Sequence, residues 1–144
     1  MIVNKALDKA VKFGAKQPIE VADDHNIFVH YIPLGKNTYG IFNKTGSCIQ
    51  IAINSNLSPG KQEFVLAHEL GHALMHHNIK QLHCTKYKIY SKDKLEYEAN
   101  EFAIRLLWDE FTYYSIEDFC RIHELEKSVI KQMFGGIMEK RSII

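Results

Sequence analysis

The sequence predicts an α+β fold in which a small, mainly antiparallel sheet packs on two long helices. Three observations support this prediction: a β-rich run near residue 30, a hairpin pattern around residue 45, and two helical stretches in the second half of the chain. The 144 residues suffice for one hydrophobic core but not for two substantial ones. We therefore expect a single domain over residues 1–144, with a core over about 1–110 and a helical tail over about 111–144.

The N-terminal part of the chain predicts one helix and three strands. Residues 4–16 carry apolar side chains at helical spacing, and Pro18 ends that pattern. Residues 27–32 are rich in β-branched and aromatic side chains, which favours a strand. Residues 39–42 and 47–53 flank a polar loop that ends in glycine, which is typical of a β-hairpin.

The remaining part of the chain predicts helices. Residues 62–77 are strongly helical, and a polar connection over 78–92 leads to a second long helix over 93–108. Ser115 begins a capping-box pattern that opens a third helix. A fourth helix is expected near residues 127–134, ended by two glycines at 135 and 136.

Charge and cysteine content exclude several functional classes. Eighteen basic residues balance seventeen acidic ones without forming a run, which argues against nucleic acid or an anionic membrane as a partner. The three cysteines are widely spaced and lack a CxxC pair, which is typical of reduced thiols in the cytoplasm. No stretch approaches the ~18 consecutive apolar residues of a membrane span. We expect a soluble cytoplasmic protein, and nothing in the pattern indicates an oligomeric state.

The first long helix contains the five-residue motif HELGH at residues 68–72. At ~100° per residue, His68 and His72 lie only ~40° apart and one turn along, so both rings can bind one Zn²⁺. Glu69 lies beside them in the position of a catalytic base. The alternative is a chance motif on ordinary histidines. The amphipathic helix and the preceding hairpin favour a zinc site of the zincin type.

Two histidines leave a catalytic zinc one protein ligand short. The metzincin pattern is excluded, because Met75 and Asn78 stand where it requires glycine and histidine. On the second long helix, Glu96 shares the small and apolar face, whereas Glu98 lies ~160° away on the polar face. Glu96 is therefore the predicted third ligand, with capping of its own helix as the alternative role. Asn100, one turn further, is a candidate hydrogen-bond partner of a ligand, or is solvated.

Two segments resemble the ImmA/IrrE family of metallopeptidases. Residues 68–76 are HELGHALMH and residues 95–107 are LEYEANEFAIRLL, which match the family patterns HELGHxxxH and ExxAxxFAxxLL. The resemblance extends over roughly residues 18–134. One departure is Trp108, where many relatives have proline. This departure concerns the end of the helix and leaves the metal site unchanged.

The resemblance implies a zincin-like peptidase with one Zn²⁺ per chain. It assigns His68, His72 and Glu96 as zinc ligands and Glu69 as the base. Family members are typically encoded near a helix-turn-helix repressor, which they cleave or inactivate to switch on mobile-element or stress genes. The alternative function is an antirepressor that is stabilised by zinc and binds the repressor without cutting it.

Two features of the reaction stay open at this point. An additional donor to the oxyanion is expected, and Tyr39, His76, His77 and Tyr97 are candidates by chemistry only, each with a packing or surface role as its alternative. An extended substrate is expected to pair with an exposed edge of the hairpin. The acidic C-terminal helices favour packing or partner docking over DNA binding.

Overall fold

The computed structural model describes residues 2–15, 17–108, 115–128, 130, 131 and 133. Over these residues it has four strands and six helices, which confirms the predicted α+β class. The elements are, in chain order, α1 (Ile2–Ala10), α2 (Pro18–Asp24), β1 (Ile27–Ile32), β2 (Thr38–Thr45), β3 (Cys48–Asn54), α3 (Pro59–Met75), β4 (Gln81–Thr85), α4 (Lys86–Ile89), α5 (Lys94–Leu107) and α6 (Ile116–His123). No helix in these ranges has both the length and the apolar character needed to cross a membrane.

The strands form one mixed sheet in the order β1-β3-β2-β4. β3 pairs in parallel with β1 and antiparallel with β2, and β2 pairs antiparallel with β4. The predicted hairpin between β2 and β3 is tighter than expected, because only Gly46 and Ser47 separate its strands. Gly46 has a φ of 60°, a conformation that glycine adopts without steric cost.

Both hairpin strands lie inside the sheet. β3 lies between β1 and β2, and β2 lies between β3 and β4. The expectation that an edge of the hairpin accepts a substrate strand is therefore wrong. In the described sheet the edge strands are β1 and β4, neither of which belongs to the hairpin.

Several element boundaries differ from the predictions. The first helix ends at Ala10, and Pro18 begins α2 instead of simply ending a helix, because proline suits the first helical turn. The connection predicted over residues 78–92 contains β4 and α4. Half of the predicted tail, including residues 111–114 and the end of the fourth helix at 134–136, lies outside the described residues.

Helix α3 occupies the centre of the domain. It packs against β2 and β3 on one side and against α5 on another, with α1, α2 and α6 also in contact. Every residue from 64 to 75 is consequently buried, including the polar residues of the HELGH motif. A helix that is buried all round places its charged side chains in the interior, where each must find a partner or a ligand.

Helix α6 closes the N-terminal end of α3. Ser115 caps α6 by accepting a hydrogen bond from a backbone N–H three residues on, as its sequence pattern predicts. Nδ1 of His123 donates to the carbonyl of Gly60 over 2.8 Å, and Nζ of Lys61 donates to the carbonyl of Glu124 over 2.8 Å. These contacts hold the start of α3 against α6, about two helical turns before the HELGH motif.

Candidate metal centre

The two motif histidines face the same point. His68 and His72 lie one turn apart on α3 and are both fully buried. Their ring centroids are 4.9 Å apart, and the ring planes are inclined by 80°. The spacing in the sequence therefore produces the convergence of imidazoles that it predicts.

Glu96 reaches the same point from the neighbouring helix. Its Oε1 lies 3.0 Å from Nε2 of His68 and 3.1 Å from Nε2 of His72. Glu96 does not cap its own helix. The backbone N–H of Asp93, from which a capping glutamate would accept, donates to Oγ of Ser91 instead. The carboxylate in the first turn of α5 is therefore directed at the histidines.

Glu69 is buried without a hydrogen-bond partner. Its exposed fraction is 0%, and among the described residues neither carboxylate oxygen has a partner. Cys84 of β4 and His68 each place a ligand-type atom within 4.8 Å of it. Burial raises the pKa of Glu69 to about 7. Burying a carboxylate without a hydrogen-bond partner costs free energy of folding. Such a group is expected where a ligand contacts it.

The residues present fit a divalent metal ion. Two nitrogens and one oxygen, from His68, His72 and Glu96, lie within 4.8 Å of one another, and this is a donor set of catalytic zinc sites. Burial lowers the pKa of His72 to about 4, so its ring is neutral at pH 7 and keeps a lone pair for a metal. Burial raises the pKa of Glu96, but the closeness of the two histidines outweighs this and holds that pKa well below its usual range, so the carboxylate is ionised.

Each histidine is also held at its second ring nitrogen. Nδ1 of His68 lies 2.6 Å from Oδ1 of Asn100, whose amide nitrogen donates to the carbonyl of Ile89. Asn100 is fully buried, so its solvated alternative does not apply. Nδ1 of His72 lies 2.8 Å from Nδ1 of His76. The placement of Asn100 follows from its position one turn after Glu96.

Sequence reasoning missed two residues near this site. Glu98 was predicted on the polar face, yet its Oε1 lies 3.0 Å from Nε2 of His76. The available signal was the spacing of four residues between His72 and His76, which puts them on one side of α3. Cys84, which lies close to Glu69, belongs to the strand that was predicted as a connection.

The four candidates for the oxyanion donor lie in different surroundings. The ring of Tyr39 lies 5.0 Å from Nζ of Lys61, near the start of α3. Tyr97 and His77 are exposed. Of the four, His76 is the one that contacts a predicted ligand in the described part of the chain.

Gly71 lies where α3 and α5 approach each other closely. A β-carbon at this position would lie 3.2 Å from Cα of Ala99 and 3.2 Å from the side chain of Phe102. Glycine therefore suits the place where α3 and α5 meet, because a β-carbon there would require Ala99 or Phe102 to shift by a few tenths of an ångström. Gly71 directly precedes His72 in the chain, and Ala99 follows Glu96 by three residues.

Replacing Gly71 with valine is expected to push α5 away from α3. The free energy of unfolding should fall by about 1–3 kcal/mol, the usual cost of overpacking a core. Zn²⁺ affinity should fall by about 10- to 100-fold, because the carboxylate of Glu96 moves away from the histidines. Chemical denaturation and chelator competition measure the two effects, and Gly71→Ala should be intermediate. Unchanged Zn²⁺ affinity in Gly71→Val would contradict this role for the contact.

Comparison with known proteins finds relatives over most of the chain. The model of the Peptidase M78 family, described as the IrrE N-terminal-like domain, matches residues 22–137. An uncharacterized immunity region protein 2 of Bacillus phage phi105 is 35% identical over 112 residues, covering 74% of this chain and 68% of that protein. Metallopeptidase ImmA of Bacillus subtilis strain 168 is 33% identical over 97 residues, covering 65% of this chain and 55% of ImmA. The match thus spans about half the length of ImmA, and the matched family range contains every residue of the site.

Proposed function

The chain belongs to the IrrE N-terminal-like family of metallopeptidases, and we propose that it is a zinc-dependent endopeptidase that cleaves a helix-turn-helix repressor. Cleavage would relieve repression of mobile-element or stress genes. The observation that carries the proposal is the convergence of His68 and His72 on one oxygen of Glu96, beside a buried carboxylate of Glu69 that has no partner among the described residues. We assign one Zn²⁺ per chain to the two histidines and Glu96.

The chain's own residues supply the proton transfers of the reaction. A zinc ion held by His68, His72 and Glu96 would supply Lewis acidity toward the scissile carbonyl and the attacking water. Glu69 accepts a proton from the attacking water and passes it to the leaving amine. In the described part of the chain, neither carboxylate oxygen of Glu69 has a hydrogen-bond partner, so both are available for this proton transfer. Burial of Glu69 strengthens its interactions by excluding bulk water.

We assign the binding of the substrate backbone to the free edge of β4. In the described sheet β4 pairs only with β2, and its Cys84 lies close to Glu69 and His68. An extended peptide that adds to this edge would gain main-chain hydrogen bonds along its length. This assignment replaces the hairpin edge as the docking strand.

The proposed substrate class rests on the relatives. One relative is named a metallopeptidase and the other an immunity region protein of a phage. The family resemblance implies a helix-turn-helix repressor as the substrate, and such a substrate would place the reaction in the cytoplasm. We also propose a single domain over residues 1–144, because the matched range of 22–137 crosses the boundary expected near residue 110.

Incubation with a helix-turn-helix repressor, sought among the genes next to this one, tests the proposal. Purified protein should convert the repressor to discrete fragments, and a chelator should stop the conversion until Zn²⁺ is restored. Gel electrophoresis and mass spectrometry detect the fragments. Loss of operator binding without any fragment, unaffected by the chelator, would instead support the antirepressor that binds without cutting.

A further inference from the structure

His72, His76 and Glu98 form a chain of polar side chains that runs from the interior toward the surface. Nδ1 of His72 lies 2.8 Å from Nδ1 of His76, and Nε2 of His76 lies 3.0 Å from Oε1 of Glu98. The side chain of His76 is only 4% exposed and that of Glu98 is 15% exposed. His76 is the C-cap residue of α3, and Glu98 is on α5. The chain therefore links the same two helices as the proposed metal ligands.

The contacts allow one arrangement of protons if His72 binds a metal. A neutral ring that gives the lone pair of Nε2 to a metal carries its proton on Nδ1. Nδ1 of His72 then donates to Nδ1 of His76, which must accept. The proton of His76 consequently lies on Nε2, where the carboxylate of Glu98 accepts it. Two protons satisfy both hydrogen bonds and leave the metal-binding nitrogen of His72 free.

The opposite arrangement would block the ligand. A proton on Nδ1 of His76 would be donated to His72, whose own proton would then occupy Nε2. Nε2 of His76 would also face an oxygen of Glu98 without a proton between them, so two lone pairs would lie 3.0 Å apart. The carboxylate of Glu98 disfavours this state because it accepts and cannot donate when ionised.

We propose that His76 and Glu98 are a positioning pair that fixes the tautomer and the ring orientation of His72 for metal binding. This proposal rests on the metal site assigned under the proposed function. His68 has a simpler support, in which Asn100 is anchored by the carbonyl of Ile89. The support of His72 ends in a charged carboxylate, which makes the imidazole a stronger donor to the metal.

Removing the nitrogens of His76 while keeping its ring is the first test. His76→Phe should weaken Zn²⁺ binding by about 10- to 100-fold in competition with a chromophoric chelator. It should also shift the visible absorption bands of the Co²⁺-loaded protein, which report the ligand geometry. His77→Phe is the matched control, because the neighbouring side chain is exposed. Equal affinity and identical Co²⁺ spectra in the two variants would overturn the proposal.

Conservative variants separate positioning from packing. His76→Asn carries an amide oxygen near the position of Nδ1 and should recover part of the affinity that His76→Phe loses. Glu98→Gln keeps an acceptor for His76 and should lose less affinity than Glu98→Leu. If His76→Phe fails to fold, this pair at the more exposed end of the chain decides the question. Equal affinities in Glu98→Leu and wild type would then overturn the proposal.

A double variant tests whether Glu98 acts through His76. The combination of His76→Phe with Glu98→Leu should bind Zn²⁺ no more weakly than His76→Phe alone, because the relay is already broken. Additive losses would mean that Glu98 acts by another route and would overturn the relay. Wild type that binds no Zn²⁺ would defeat the proposed function itself. Tight wild-type binding with unaffected variants would defeat the positioning pair alone.

Discussion

Glu69→Gln is expected to slow cleavage of the repressor by about 10²- to 10⁴-fold, the contribution typical of a general acid–base. Glutamine has the shape of glutamate but cannot take the proton of the attacking water. Zn²⁺ affinity should stay within about twofold of wild type, because the oxygen near Nε2 of both histidines belongs to Glu96 and not to Glu69. Single-turnover cleavage and chelator competition measure the two quantities separately.

Glu63→Gln is the matched control for this variant. It makes the same chemical change on the same helix, at a side chain that is 43% exposed. Its cleavage rate should equal that of wild type. If Glu69→Gln relieves repression as well as wild type and neither produces fragments, the peptidase proposal fails and binding without cutting explains the relief.

Glu96→Ala is expected to remove stoichiometric zinc. It deletes the one oxygen that lies 3.0 Å and 3.1 Å from the two histidine nitrogens. The loss of affinity should exceed the roughly 10- to 100-fold effect of disturbing a hydrogen-bonded support. Metal content after dialysis against a weak chelator measures the loss, and His68→Ala should behave in the same way.

Glu98→Ala gives the comparison within the same helix turn. It should weaken zinc binding less than Glu96→Ala, because Glu98 contacts His76 and not the ligand nitrogens of His68 and His72. Zinc affinity is therefore expected to be highest in wild type, lower in Glu98→Ala and lowest in Glu96→Ala. Equal zinc loss in the two glutamate variants would contradict the assignment of Glu96 as the ligand.

The centre of the site could be predicted because its geometry is local. His68 and His72 converge through the pitch of one helix, and the position of Glu69 follows from the same helix. Glu96 and Asn100 share one face of α5 at a spacing of four residues, so helical periodicity placed both. Periodicity describes the direction in which a side chain leaves its helix. Predictions from helical periodicity were therefore correct for side chains that point directly at the partner helix.

The contact between Glu98 and His76 was not predicted, because His76 belongs to a different helix. A long carboxylate side chain that starts on the polar face still reaches His76, because the end of α3 lies beside that face. The position of one helix end relative to another depends on tertiary packing. Helical periodicity within α5 contains no such information.

The pairing of the hairpin with β1 and β4 also could not be predicted from local sequence patterns. β4 is five residues long, with polar Gln81 and His83 among its side chains, and its extended state depends on pairing with β2. The parallel pairing of β1 with β3 likewise joins segments that are apart in the chain. Local patterns predicted the hairpin correctly but could not supply its neighbours.

The close approach of Gly71 and Ala99 limits how far the spacing between the proposed metal ligands of α3 and α5 can vary. Because α3 has no side chain at Gly71, no rotamer change at this position can alter the gap between the helices, which reduces the effect of the side-chain motions that warming excites. Metal sites accept errors of only about 0.2 Å in donor distances. A spacer made of backbone atoms meets that demand more rigidly than one made of flexible side chains, so the donor atoms of α3 and α5 should keep their spacing over a wide temperature range.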